Sequence, residues 1–226
     1  MGNRTLKKQI LEYLESGSFE NSLAELLMIP GRKAVNPLFS FFCSGMDNVR
    51  WRAVTAMGAV VSKMVADGEV ESARVVMRRL MWSLNDESGG IGWGAPEAMG
   101  EITARNRLLA EEYGCILISY LNPEGNFLEH EILQRGVLWG IGRLAVARPQ
   151  MAAQAAGFLP PFLKSIDPVK RGLAVWTAGL LKIGELLVCL EQLTGDEERL
   201  SLYREMQLEV ISVGRLAKEA LKGQMK

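Results

Sequence analysis

The sequence predicts an all-α protein in which about five helical hairpins stack on one another and a C-terminal helix caps the stack. One observation is a repeat: residues 51–58 (WRAVTAMG) and 93–100 (WGAPEAMG) share Trp, two Ala, Met and Gly at a constant offset of 42 residues. Apolar residues also recur at helical spacing along the chain, and we expect no half-buried strand. A repeat of this period is typical of stacked helix pairs.

Helical spacing predicts three short helices in the N-terminal part of the chain, over residues 4–15, 19–29 and 33–43. Pro37 is either a first-turn residue of the third helix or a kink in it. We interpret residues 1–30 as an N-terminal cap hairpin. A turn then leads into a long helix that contains VRWRAVTAMGAVVSKM.

The same order of a first helix, a turn and a second helix recurs three more times. The predicted pairs are 71–84 with 93–106, 106–121 with 128–147, and 150–165 with 168–187. We place the repeats within residues 31–187 and a C-terminal cap over 188–226. The cap contains a last helix over about 196–221, which begins with acidic residues that complement the helix dipole. The whole chain, 1–226, is expected to form one repeat domain.

Glycines occur at matching points of the second helices. Gly58, Gly100 and Gly142 are spaced 42 residues apart, and Gly179 follows 37 residues later. Small residues allow two helices to approach closely, whereas a bulky side chain would separate their axes. These glycines therefore predict the places where one hairpin packs on the next.

The composition limits the possible functions. Lys and Arg (26) balance Asp and Glu (26), so no global charge directs the protein to nucleic acid or membrane. Three well-separated cysteines form no metal or redox motif and are expected to be reduced. Because the chain shows neither a signal segment nor a membrane span, we expect a cytoplasmic protein without a membrane partner.

Two segments resemble the second helix of a HEAT repeat, whose pattern runs Asp, Val-Arg, small residues and Leu-Gly. DNVRWRAVTAMGAV fills this pattern, DPVKRGLAVWTAGLL fills it less completely, and APEAMGEI keeps its later half. The chain also resembles an uncharacterised bacterial HEAT-like subfamily. The resemblance implies a right-handed α-α superhelix (a HEAT/armadillo-like solenoid) whose second helices line a concave surface. Such proteins mostly bind other proteins.

Helical spacing places four of the five tryptophans on one strip of the second helices, together with two arginines and two glutamates. The strip comprises Trp51, Trp93, Glu97, Glu101, Arg135, Trp139, Arg143 and Trp176. Large aromatic side chains and arginines carry much of the binding energy at interfaces. Our leading hypothesis is therefore a non-enzymatic scaffold that binds an unknown protein partner on this concave face, without a cofactor or metal.

A structural role for the same residues is the alternative. Trp93 could stack on Arg135, and Glu101 could pair with Arg143, so that the strip joins the layers and binds nothing. The second helices carry more basic than acidic residues, which favours an acidic partner, either protein or nucleic acid.

Two other functions remain open. Some HEAT-like proteins are alkylpurine DNA glycosylases, and this chain shares tryptophans on that face and offers Glu97 as a carboxylate. Neutral overall charge argues against DNA binding. The glycine-rich loop over residues 85–97 could instead cover a small-molecule or cofactor pocket. Catalysis has little support, because the single histidine, His130, is expected to be solvated.

Overall fold

The computed structural model describes residues 3–85 and 92–224, most of which are helical. The α-helices are α1 (Asn3–Glu15), α2 (Phe19–Leu26), α3 (Gly31–Phe41), α4 (Asp47–Ala66), α5 (Val70–Leu84), α6 (Ala95–Arg105), α7 (Arg107–Ser119), α8 (Glu131–Ala147), α9 (Pro149–Ala152), α10 (Pro160–Leu163), α11 (Pro168–Leu181), α12 (Leu187–Gln192) and α13 (Val213–Gln224). Two 3₁₀ helices cover Ala153–Phe158 and Gly184–Leu186, and two strands are β1 (Arg199–Arg204) and β2 (Gln207–Ser212).

The helices form the predicted layered stack. The second helices α4, α6, α8, α11 and α13 pack on one another in that order, and first helices such as α3, α5 and α7 pack on their outer side. The second helices are therefore buried on several sides, with core residues such as Met57, Met99 and Leu138 fully enclosed. The prediction of an all-α superhelix is confirmed.

Glycines mark the close contacts between layers, as the sequence predicted. A Cβ atom added to Gly100 would overlap the Cα of Gly140, so the backbones of α6 and α8 nearly touch. A Cβ at Gly142 would meet the ring of Trp176, and a Cβ at Gly179 would meet Ala220. A larger residue at any of these points would force the neighbouring atoms to move, and at Gly100 those atoms belong to the α8 backbone.

Hydrogen bonds and ion pairs at the turns connect successive layers of the stack. The Asp167 carboxylate accepts a hydrogen bond from the Val169 backbone N–H (2.9 Å) and another from Arg135 Nε of the preceding layer (2.7 Å). Arg171 Nε donates in turn to Asp196 (2.7 Å). A carboxylate and a guanidinium thus hold each of these layers to its neighbour, and Asp167 is also the N-cap of α11.

The predicted helix over 196–221 is wrong, as is the expectation that the chain has no strand. Residues 199–212 form an antiparallel hairpin with Arg204 opposite Gln207, and α13 begins only at Val213. The segment RLSLYR alternates exposed and buried residues at its start, which is the period-2 pattern of a half-buried strand. That pattern is too short to stand out from the helical spacing on either side of it.

Two other predicted helices have different bounds. The helix predicted over 150–165 is broken into two four-residue α-helices around a 3₁₀ helix, with prolines at 149 and 160 starting the two α-helices. The helix predicted over 168–187 ends at Leu181, where Lys182 adopts a left-handed conformation with φ 52°.

The close approach of α6 and α8 predicts a strong effect of Gly100→Ala. The added methyl group would collide with the Gly140 backbone, so we expect the free energy of unfolding to fall by about 3 kcal/mol. Gly223→Ala is the control, because its Cβ would meet nothing within 4 Å and alanine favours a helix. Urea unfolding of both variants measures the effect, and equal stabilities would contradict this packing.

The hairpin turn predicts a stabilising substitution. Glu205 (φ 51°) and Met206 (φ 59°) are both left-handed, a conformation in which asparagine is more stable than glutamate. We expect Glu205→Asn to raise the free energy of unfolding by about 0.5–1 kcal/mol in urea titrations. Glu197→Asn, at an exposed position without positive φ, should have almost no effect. If Glu205 did not adopt a left-handed conformation, Glu205→Asn and Glu197→Asn would have the same free energy of unfolding, which would contradict this turn.

Candidate functional site on the inner face

The β-hairpin lies against the face of α4, α6, α8 and α11 on which the predicted strip falls, and we call this side the inner face. The Tyr203 hydroxyl is hydrogen-bonded to Thr55 Oγ1 (3.0 Å), and Trp139 Nε1 donates to the Tyr203 carbonyl (2.8 Å). Near the base of the hairpin, Leu200 packs against Gly172, where a Cβ would lie 2.6 Å from the leucine. The chain therefore covers part of its own inner face.

Three aromatic rings form the centre of this contact. Tyr203 stacks on Trp51 with a centroid distance of 5.0 Å and an interplanar angle of 12°, and Trp139 lies 4.7 Å from Trp51. Burial raises the pKa of the Tyr203 phenol, against the opposing effect of its hydrogen bond to Thr55. The Tyr203 phenol therefore stays neutral, and the residue contributes its packed ring and one hydrogen bond through its hydroxyl group.

Four tryptophans lie on the inner face, but two of them are covered. Trp139 is 2% exposed and Trp176 is 8% exposed, whereas Trp51 and Trp93 are half-buried. The expectation that all four rings are open to a partner is therefore wrong for Trp139 and Trp176. The reason is the inserted hairpin and the packing of α11 on α8, neither of which helical spacing reveals.

The structural alternative for the strip holds in part. Glu101 does pair with Arg143, through Nε and Oε2 at 2.6 Å. Trp93 does not stack on Arg135 but meets His130 edge-on at 6.1 Å, while Arg135 pairs with Asp167. His130 also caps α8 through Nδ1, which accepts a hydrogen bond from the backbone N–H of Ile132 (3.3 Å).

A pocket of about 490 Å³ lies beside the hairpin turn, toward the carboxyl ends of α6, α8 and α11. We call it the arginine pocket. Its lining includes Glu101, Arg105, Arg143, Val146, Trp176, Leu180 and the turn residues Arg204, Glu205 and Met206. It combines apolar walls with a few charged groups, which is the usual composition of a ligand site.

One buried carboxylate holds two guanidinium groups in the arginine pocket. Glu101 is 3% exposed and accepts hydrogen bonds from Arg105 Nε (2.5 Å) and Arg143 Nε (2.6 Å). Gly58 makes room for this glutamate, because a Cβ there would lie 2.5 Å from the Glu101 Cγ. The group of three side chains has a net charge of +1, and within the described residues the Nη atoms of both arginines have no hydrogen-bond partner.

A second pocket of about 380 Å³ lies toward the amino ends of the second helices. We call it the glutamate pocket; its lining includes Arg50, Trp51, Trp93, Glu97, Arg135 and Arg199. Glu97 Oε2 is buried and has no hydrogen-bond partner among the described residues. Burial raises the pKa of Glu97 to about 7, and the charge of Arg50 opposes this shift only in part.

Gly136 explains how the Glu97 side chain fits. A Cβ at Gly136 would lie 2.6 Å from Glu97 Oε2, so the carboxyl group occupies space that a side chain at this position would fill. Glu97 and Glu101, which helical spacing placed on one face, thus differ in environment. Glu101 has two arginine partners, whereas Glu97 has one oxygen that is both buried and, within the described part of the chain, unpaired.

Residues 86–91 of the predicted glycine-rich loop, including Gly89 and Gly90, lie outside the described residues, and residues 95–97 belong to α6. The hypothesis of a cofactor pocket beneath it therefore stays a prediction. Gly94 is described: it has φ 73° and immediately precedes α6. In the described part of the chain, no helix combines the length and apolar character needed to cross a bilayer.

Neither a protein-family model nor a curated protein sequence matches the chain. Among solved structures, it is similar to the designed armadillo repeat protein YIII(Dq)4CqI, with 18% identity, a TM-score of 0.51 and coverage of 96% of this chain and 98% of that one. The chain has an armadillo/HEAT-like repeat fold. The prediction of a bacterial subfamily stays a prediction.

Two further solved structures match nearly the whole chain. The designed armadillo repeat protein YIII(Dq.V1)4CPAF in complex with the peptide (KR)4 is 18% identical, with a TM-score of 0.52 over 96% of this chain and 98% of that one. An engineered protein from the Northeast Structural Genomics Consortium is 15% identical, with a TM-score of 0.53 over 97% of this chain and 96% of that one. At such identities the similarity establishes the fold alone.

The buried Oε2 atom and the raised pKa of Glu97 predict a pH-dependent stability. Its pKa is about 7 in the folded state against an ordinary 4.5, so the folded state binds the proton more tightly. Stability from this group is therefore present below pH 4.5 and is lost as the pH rises through 7. We expect Glu97→Gln to raise the free energy of unfolding by roughly 1–3 kcal/mol at about pH 8, and by little at acid pH.

Urea unfolding of wild type and Glu97→Gln at the two pH values checks this expectation. Glu111→Gln is the control, because Glu111 is exposed and pairs with Arg107 on the surface. The difference in free energy of unfolding between Glu97→Gln and wild type should grow from acid to alkaline pH. If it does not, the carboxyl group is solvated in the folded protein.

Proposed function

We propose that the protein is a non-enzymatic scaffold that binds a segment of a partner protein on its concave inner face, beside the inserted hairpin. The observation that carries this proposal is the arginine pocket. There, the walls of Trp176, Leu180 and Val146 meet two arginines whose Nη donors are unused within the described residues. Aromatic and arginine side chains are the types that contribute most to binding at interfaces.

Exposure of the pocket rim supports the proposal. Val146 is 54% exposed although it lines the pocket, so this apolar side chain is available to a partner. With Trp176 and Leu180 it forms an apolar wall beside charged donors, which is the usual composition of a ligand pocket. The hairpin limits the site to the space on either side of it, so a partner would occupy the pockets and not the full length of the inner face.

The armadillo/HEAT-like fold gives this proposal a precedent, since a designed armadillo repeat protein of the same fold was solved in complex with the peptide (KR)4. The charge of the arginine pocket makes a basic peptide a poor ligand here. We therefore propose an acidic or carboxylate-bearing segment as the partner of this chain.

Nucleic acid fits the inner face less well. Arg50 and Arg135, which line the glutamate pocket, are paired with Asp47 and Asp167, so their charges are already used within the protein. Phosphate binding depends on basic side chains that are free to replace counterions. The pairing of these arginines supports a protein partner over DNA.

A peptide library with free carboxyl ends, selected on the immobilised protein, tests the proposal. Selected peptides are then synthesised and titrated by fluorescence anisotropy against wild type, Val146→Glu and Val75→Glu. Val146→Glu places a negative charge at the rim of the pocket, and we expect it to weaken binding by about ten-fold or more.

Val75→Glu is a matched control, because Val75 is helical and 52% exposed but lies on the outer helix α5. It should bind as wild type does. Failure to select any peptide, or selection of peptides whose affinity is the same for Val146→Glu, would show that the pocket is not the binding site.

A further inference from the structure

We propose that the arginine pocket recognises the C-terminal carboxylate of its partner segment, with an apolar last side chain seated against Trp176 and Leu180. This inference rests on the proposed function and specifies its ligand. It follows from three features of the pocket: oriented donors, an apolar wall next to them, and a closed side formed by the hairpin turn.

The two guanidinium groups are oriented for a second carboxylate. Arg105 and Arg143 each use Nε to bind the buried Glu101, which fixes the plane of each group. Both arginines are about one-quarter to one-third exposed in their side chains, so their remaining N–H groups are accessible from the pocket. Guanidinium groups bind the two oxygens of a carboxylate in a fixed planar geometry.

The charge balance favours an anion at this point. Glu101 neutralises only one of its two arginines, which leaves one positive charge beside the pocket. Arg204, also on the lining, is paired with two carboxylates, Glu209 and Glu219, so the positive charge available to a ligand is that of Arg105 and Arg143. Glu205 is the other carboxylate on the lining; it is exposed on the hairpin turn, where solvent and salt screen its charge.

The apolar wall distinguishes a chain end from an acidic side chain. Trp176, Leu180 and Val146 line the same pocket as the arginines, so a ligand must place an apolar group close to its carboxylate. The last residue of a peptide with an apolar side chain has this arrangement, because both groups are attached to one Cα. Aspartate and glutamate carry the carboxylate on one or two methylenes and leave most of the wall uncovered.

The hairpin turn favours a segment that ends in the pocket. Arg204, Glu205 and Met206 form one wall, and Tyr203 behind them is bonded to Thr55 and Trp139. An extended segment that runs along the inner face from the arginine pocket therefore meets the hairpin and cannot continue. A segment that ends at its C-terminal carboxylate can stop in the pocket and does not meet the hairpin.

The test compares the dipeptide N-acetyl-Leu-Phe with its C-terminal amide, which differs only in the charged end. Binding is followed by the NMR shift of the Trp176 indole N–H during titration of the full-length protein. Because a carboxylate gains charge-assisted hydrogen bonds that an amide lacks, we expect the acid to bind roughly ten-fold more tightly. In Arg143→Gln this preference should disappear.

Arg135→Gln is the matched control, since Arg135 also lies on α8 and pairs with a carboxylate, but lines the glutamate pocket. It should retain the preference for the acid. Arg105→Gln provides a second variant with an intact Arg143–Glu101 pair and should also reduce the preference. Circular dichroism establishes that each variant is folded before its titration is interpreted.

Equal affinity of wild type for acid and amide would overturn this inference, as would no binding of either at millimolar concentration. A preference that survives in both Arg143→Gln and Arg105→Gln would also overturn it, because the carboxylate would then be bound elsewhere. These outcomes are separable from the proposed function: library peptides that lose affinity in Val146→Glu would still establish partner binding, with a segment that does not depend on its carboxyl end.

Discussion

The insertion of Tyr203 between Thr55, Trp51 and Trp139 determines what the inner face can bind. Its ring stacks on Trp51, its hydroxyl is bonded to Thr55, and its carbonyl accepts the indole N–H of Trp139. Thr55, Trp139 and Tyr203 are all buried in this contact, and a buried polar group without a partner would be costly, so these hydrogen bonds favour this one placement of the hairpin. The hairpin is thus held at the centre of the inner face, with one pocket on each side of it.

The two pockets differ in how their glutamates are satisfied. In the arginine pocket, Glu101 is enclosed by two guanidinium groups and holds them in place beside the pocket. In the glutamate pocket, Glu97 has a buried oxygen without a partner among the described residues, and its pKa is raised to about 7. Similar side chains one helical turn apart therefore have different roles, because their neighbours differ.

The layered fold could be predicted because its physical basis is local in sequence. Close packing of successive second helices requires small residues at fixed intervals, and Gly100 and Gly142 show this requirement directly in the structure. Such a pattern is visible without any knowledge of the partner helix. The N-terminal helices and the approximate bounds of α4 through α8 are predictable because the helical spacing of apolar residues is also local in sequence.

The burial and the hydrogen-bond partners of the inner-face residues could not be predicted in the same way. Trp139 is bonded to a residue 64 positions away, in a hairpin that replaces the start of the predicted last helix. Helical spacing places Trp139 and Trp176 on a face but says nothing about what covers that face. The environment of the buried Glu97 oxygen likewise depends on Gly136 and α8, not on its own helix.

Hydrogen exchange of the tryptophan indole groups, followed by NMR, tests the insertion of the hairpin most directly. Trp139 donates its indole N–H to Tyr203 and is covered, whereas Trp82 on α5 is 75% exposed and serves as a reference within the same molecule. We predict that the Trp139 indole exchanges far more slowly than that of Trp82, at a rate close to that of core amides. Equal exchange of the two indoles would contradict a hairpin seated on the inner face.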